Sequence, residues 1–280
     1  MTASCPAFTG RVAVVTGSNK GVGYFIALQL GLSGLFQHVL LGCRDASRAD
    51  MAVQRLRDQF SSSVAVSAFP LTLGDSASHG QFASHVRETF GKCDVLVNNA
   101  AFAYKGSDPT PFEKQCKPTL DVNFRATVDF TEQMLPLLRL AGADARLVNV
   151  ASMSGHLKNL SAEKQAAVSA DTLTFPELRE LVNDFETRVT AGDGSHKTVA
   201  GWGNSNYGMS KLSVIAATKI WARQESFSVN CCCPGYCKTD MSSQRGERDP
   251  ADGAKNAVLP ATMENPPTGD FFADYQVAKW

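Results

Sequence analysis

RVAVVTGSNKGVG, residues 11–23, decides the fold. Arg11 to Thr16 is an apolar, β-branched run that ends at Gly17, the pattern of a strand buried on both faces. Gly17, Gly21 and Gly23 then surround Ser18, Asn19 and Lys20, and the chain enters a predicted helix near Val22. Glycines permit a tight turn and close backbone approach, so a diphosphate could meet the free N–H groups and positive dipole end of that helix. The spacing G-x-x-x-G-x-G differs from the commoner G-x-G-x-x-G. Its position between a buried strand and a helix makes residues 17 and 19–23 the expected dinucleotide-binding loop.

Working outward, the same kind of run recurs at HVLLG (38–42), VAVSAF (64–69), DVLVN (94–98), RLVNV (146–150) and FSVNCC (227–232). Helical spacing lies between them, as in Val53, Leu56 and Phe60, or Phe124, Val128, Met134, Leu135 and Leu138. Alternation of this sort predicts an α/β fold, a doubly wound parallel sheet of Rossmann type, in one domain over 1–280. Ligands bind such sheets outside the carboxyl ends of the strands.

The chain of 280 residues carries 27 basic and 27 acidic side chains. That balance gives no electrostatic case for nucleic acid or an anionic membrane and favours a small-molecule partner. Eight cysteines without small-domain spacing suit free thiols in a reducing compartment, hence a cytoplasmic location. MTASCPAFTGR lacks the form of a secretory signal. Val22 to Cys43 is free of charge, yet Gln29, Gln37 and His38 interrupt it and Gly31, Ser33 and Gly34 break it into a helix and a strand, so no membrane span is expected. Cys231, Cys232, Cys233 and Cys237 alternate across a strand with no histidine near, so no metal site is expected.

The end of the second strand discriminates nicotinamide cofactors, since a carboxylate there suits the ribose of NAD and arginine the 2′-phosphate of NADP. Arg44 and Arg48, with Lys20 from the glycine loop, supply three cations and predict NADP(H). Asp45 stands against this unless it begins the next helix and pairs with Arg48. Further on, NSNYGMSKLSV (204–214) sets Tyr207 and Lys211 four apart, on one helical face.

TGSNKGVG, VNNA (97–100), N-V-A-S (149–152) and YGMSK (207–211) occur in the order seen in short-chain dehydrogenases/reductases, which the chain resembles over nearly its whole length. Within that family it is most similar to the carbonyl reductases, through DPTPF (108–112), VNF (122–124), MLPLL (134–138), CCPGY (232–236), KTDM (238–241) and Trp280. The resemblance implies a catalytic set of Asn123, Ser152, Tyr207 and Lys211. Tyr207 would protonate the developing alkoxide, Ser152 would hold the carbonyl oxygen, and Asn123 would anchor a water linking Lys211 to solvent. Lys211 would bind the nicotinamide ribose and, with the oxidised nicotinamide, draw the phenol pKa down. It also implies cofactor contacts at Leu73 and Asn99, and at Pro234, Cys237, Lys238 and Thr239 beside the nicotinamide. Met153, Trp202, Tyr236 and Met241 are the candidate substrate walls, for apolar or aromatic aldehydes, ketones and quinones. A narrow physiological substrate, such as a steroid, prostaglandin or pterin, is the alternative; a non-catalytic NADP(H) sensor is a further one.

The chain departs from the family pattern at Ala101 and Thr72, where glycine and aspartate are usual, and at Tyr236, where carbonyl reductases place tryptophan. Ser152 and Tyr207 are separated by a helical insert at about 156–200. Within it, TLTFPELRELVNDFETRV (172–189) offers a Thr174–Glu177 capping box, Pro176 in the first turn and an apolar face of Leu178, Leu181, Val182, Phe185 and Val189. A similar insert in carbonyl reductases covers the face through which other members oligomerise, which implies a monomer.

Overall fold

A computed structural model describes residues 8–280. β1 (Val12–Thr16), β2 (His38–Cys43), β3 (Ala65–Pro70), β4 (Val95–Asn98), β5 (Arg146–Val150) and β6 (Ser228–Cys232) fall on the six apolar runs. Helices α1 (Gly21–Leu32), α2 (Ala46–Arg57), α3 (Ser76–Phe90), α4 (Phe112–Leu120) and α5 (Ala126–Ala141) connect the first five strands. α6 (Ala162–Ser169), α7 (Phe175–Thr190), α8 (Ser195–Thr198) and α9 (Asn206–Gln224) lie between β5 and β6; α10 (Pro250–Thr262), β7 (Phe271–Ala273) and β8 (Gln276–Ala278) complete the order.

The eight strands form one sheet in the order β3-β2-β1-β4-β5-β6-β7-β8. All neighbours are parallel except β7 and β8. Because side chains alternate across a strand, β1 sends Val12 and Val14 to one face and Ala13 and Val15 to the other. The first pair joins a core with Phe82, Phe130, Leu138 and Trp221; the second joins Ile26, Leu30, Leu56 and Ala257. Both faces are therefore covered. The sheet reverses direction between β1 and β4, and the crevice beyond their carboxyl ends is the expected ligand position.

The final hairpin departs from the all-parallel expectation. Asp274 and Tyr275 both hold positive φ, 50° and 65°, in the two-residue turn between β7 and β8. Gly31 also behaves differently from its sequence reading, lying inside α1 rather than ending it. A Cβ there would stand 2.1 Å from the Phe60 ring, so the glycine serves close packing. Phe60 itself follows α2 rather than belonging to it. Among the described residues no helix is long and apolar enough to cross a membrane.

In the insert, α7 has the capping box expected of Thr174 and Glu177, with Pro176 in the first turn. Leu178, Val182, Phe185 and Val189 are buried, while Leu181 is only partly so. This face packs on α4 and α9.

Candidate active site

A cleft of about 720 Å³ opens at the carboxyl ends of β1 and β4. The glycine loop forms one wall. Gly17 (φ +64°) and Gly21 (φ +58°) hold left-handed conformations, and a Cβ on Gly17 would meet the Ala100 backbone at 2.8 Å. Gly23 has a different task. A Cβ there would lie 2.3 Å from Asn99 Nδ2, the atom that donates to Thr16 O at 2.9 Å and Gly17 O at 3.2 Å. Thr16 Oγ1 completes the join by accepting from Asn99 N and Ala100 N, at 3.0 and 2.9 Å. Asn99 thus braces the loop from β4 while lining the cleft, and neither role of Thr16 is visible in a linear motif.

Gly17, Asn19, Lys20, Gly21, Val22, Gly23, Arg44, Leu73 and Asn99 all line this cleft. So do Tyr207, Lys211, Pro234, Lys238, Thr239 and Met241. Of the three cations assigned to one phosphate, Lys20 and Arg44 line the cleft and Arg48 does not. Arg48 pairs with Asp45 at 3.3 Å. Asp45 caps α2 by accepting from Arg48 N, so the nearest anion to Arg48 is its own helix cap. Lys20 Nζ is held 2.6 Å from Asp240 Oδ2.

Tyr207 and Lys211 lie in the first turns of α9, whose Ser205 cap accepts from Gly208 N. Lys211 is 3% exposed and its Nζ donates to Val150 O at 2.7 Å. Burial lowers this ammonium to about 8, against the Cys232 and Cys233 sulfurs, which raise it. Burial, with a smaller push from Cys233, raises the Tyr207 phenol to about 12, against a hydrogen-bonding contact with Ser152. Lys211 Nζ stands 5.7 Å from the Tyr207 ring centre. Burial is thus the dominant influence on both groups in the protein itself.

Ser152 caps the short turn Met153–Gly155 by accepting from Ser154 N. That turn is pressed on α9. A Cβ on Gly155 would lie 2.5 Å from Leu212 N, and one on Gly208 would lie 2.8 Å from Ser154 O. Trp280 Nε1, 125 positions further along the chain, donates to Gly155 O at 2.9 Å. Asn123 sits in the π-helical turn Asp121–Arg125, behind the cleft wall. Its Oδ1 accepts from Phe102 N, and its Nδ2 donates to Phe102 O and Ser210 Oγ.

Of the four candidate substrate walls, only Met241 lines the cleft. Met153 and Tyr236 are exposed outside it. Trp202 is removed altogether: it is 2% exposed inside the insert, donates to Asp184 at 2.7 Å, and lies under Lys164 and beside Phe185. An indole needs a partner for its N–H when buried, and Asp184 supplies it. Phe102, which sequence reading passed over, lines the cleft and pairs edge-on with Tyr104. Cys237 is buried beside the cleft, not in its wall, and its thiol donates to Pro234 O. Burial pushes Cys237 up to about 11 and Cys231 up to about 12.

A buried Tyr-x-x-x-Lys turn beside a glycine-rich loop at the switch point of a doubly wound sheet defines a dinucleotide-dependent class. The short chain dehydrogenase family model matches residues 11–168, and the chain belongs to that family. Carbonyl reductase [NADPH] 1 of Homo sapiens is 35% identical over 96% of this chain and 98% of its own length. Carbonyl reductase [NADPH] 3 of Mus musculus is equally similar, with the same coverage. Among solved structures, salutaridine reductase from Papaver somniferum has a TM-score of 0.82 at 29% identity, over 94% of this chain and 99% of that one. Menthone neomenthol reductase from Mentha piperita has a TM-score of 0.75 at 27% identity, over 94% and 98%.

Proposed function

We propose that this protein is an NADPH-dependent carbonyl reductase in which Tyr207 is the general acid. The observation that carries the reading is the shared cleft: the glycine loop, Arg44, Tyr207 and the buried Lys211 all face one cavity. The residues fit the dinucleotide, since glycines 17 and 21 leave the cradle open and Arg44 suits a 2′-phosphate. When bound, NADPH supplies the hydride for the carbonyl carbon.

Tyr207 donates its proton to the developing alkoxide, and a phenol near 12 is fully protonated at neutral pH. Ser152, held by the turn pressed against α9, hydrogen-bonds the same oxygen and fixes the carbonyl. Lys211, carrying charge below about pH 8, favours the phenolate left after transfer and binds the nicotinamide ribose. The Asn123 amide is committed to Phe102 and Ser210, so a water joining Lys211 to solvent uses the Asn123 main-chain carbonyl, in a turn whose π geometry disturbs the usual helical pairing.

Phe102 and Met241 give the reacting end an apolar wall, suited to aldehydes, ketones and quinones. A second reading has one narrow physiological substrate, such as a steroid, prostaglandin or pterin, which the likeness to reductases named for particular compounds favours. The intact Tyr207–Lys211 pair weighs against a sensor without turnover. We also read the chain as a cytoplasmic monomer: the seven described cysteines are free thiols, and α7 occupies the α4–α9 face. The test is loss of NADPH absorbance with a quinone, aldehyde and ketone panel, repeated with NADH and with Tyr207→Phe. Turnover should require NADPH and fall at least about 100-fold in the variant; undiminished turnover in Tyr207→Phe would remove the phenol from the mechanism.

A further inference from the structure

The cleft lining carries four cations, Lys20, Arg44, Lys211 and Lys238, and a single carboxylate, Asp240. A carboxylate in a cavity shaped for a polyanion opposes binding unless its charge is met by a cation. Lys20 meets it, at 2.6 Å, across the mouth between the glycine loop and the 238–246 segment. The carboxylate is held for this contact from its other side, since Gln244 Nε2 donates to Asp240 Oδ1 at 3.0 Å. Gln244 and Ser243 both adopt left-handed backbone, with φ of 62° and 52°, and Gln244 N donates to Thr239 O. The loop thus holds Asp240 oriented toward Lys20.

We infer that Asp240 is a cofactor-specificity residue that competes with the 2′-phosphate of NADPH for Lys20. The inference rests on the NADP(H) reading above. Lys20 is one ammonium with two anionic claimants, and whichever is present takes it. NADPH binding exchanges the carboxylate for the phosphate, so the pair weakens NADPH binding and hastens its release while leaving NADH, which offers no such phosphate, unaffected. Both partners are more than half exposed, which keeps the effect small and sensitive to salt.

The test is a double-mutant cycle on cofactor affinity, with NADPH and NADH dissociation constants measured by fluorescence for the wild type, Asp240→Asn, Lys20→Met and the double variant. Asp240→Asn should tighten NADPH about two- to fivefold, leave NADH unchanged, and lose its gain when Lys20 is Met. Equal tightening of both cofactors, a gain that survives Lys20→Met, no change, or weaker NADPH binding would each overturn the inference. Tighter binding of NADH than of NADPH to the wild type would instead overturn the cofactor reading itself, so the two failures are distinguishable.

Discussion

Lys211 is the residue on which sequence and structure say different things about the same chemistry. Its spacing from Tyr207 is plain in YGMSK, but its burial is not, and burial sets its charge. The ammonium, lowered to about 8, deprotonates in the folded protein at a pH where the unfolded chain still holds its proton. Between about pH 8 and the ordinary lysine value near ~10.4, the unfolded state binds more protons, so this group's contribution to stability rises with pH. Below that window the folded protein carries a buried charge at a cost. Lys211→Met should therefore be more stable than wild type at pH 7, with the difference shrinking by at most about 1.4 kcal/mol per pH unit above pH 8. Matched denaturant titrations of the two proteins check this, and a difference that stays constant from pH 7 to 10 would refute it. The same ionisation predicts that kcat/KM for reduction falls with rising pH from about 8, up to tenfold per unit, since kcat/KM reports the free enzyme. Other residues were legible only through the family pattern, such as Asn123 and Ser152. The Asp45–Arg48 pair was legible as a local i,i+3 contact, and it draws Arg48 away from the phosphate cations; Trp202 was misjudged because its partner Asp184 is set by the folded chain.

At the scale of elements, the six longer strands announce themselves as buried apolar runs, whereas β7 and β8 have three residues each and give no usable period. Yet this short hairpin matters to the site, because the chain leaving it carries Trp280 to Gly155. Gly155 is jammed against the main chain of Lys211 and Leu212, so the Trp280 bond bears on the turn that holds Ser152. Trp280 is thus expected to be a positioning residue. Trp280→Phe keeps the ring but leaves the Gly155 carbonyl without this donor, a loss in the range of ~1–3 kcal/mol. If the displacement falls on the transition state, kcat drops about tenfold while NADPH affinity is unchanged. Wild-type kcat in the variant, or a parallel loss of NADPH affinity, would place Trp280 outside the positioning of Ser152. The insert shows the same contrast: α7 was legible from its capping box and apolar face, while α6 and α8 are too short to show a face of their own.

For the whole molecule, the order of strands puts the cleft at the reversal between β1 and β4, and the insert decides what covers α4 and α9. α7 is anchored there by more than its apolar face. Asp184 accepts from Trp202, Arg188 and Lys164, and Glu186 pairs with Arg125, the last residue of the π-helical turn. Such a helix, tied through its C-terminal half, packs its apolar face on α4 and α9 and covers them. An intact chain should therefore sediment as a monomer at micromolar concentration. Phe185 lies at the centre of the packed face, 1% exposed and edge-on to Trp202. Phe185→Ala should lower stability by about 3–5 kcal/mol, the range for a large aromatic removed from a core. Phe185→Asp, which forces a charge into the same contact, should detach α7, uncover the α4–α9 surface and convert monomer to dimer or larger species in sedimentation. A wild-type dimer would show that the insert leaves an assembly face open. A strictly monomeric Phe185→Asp protein that remains folded would show that the surface beneath α7 does not self-associate.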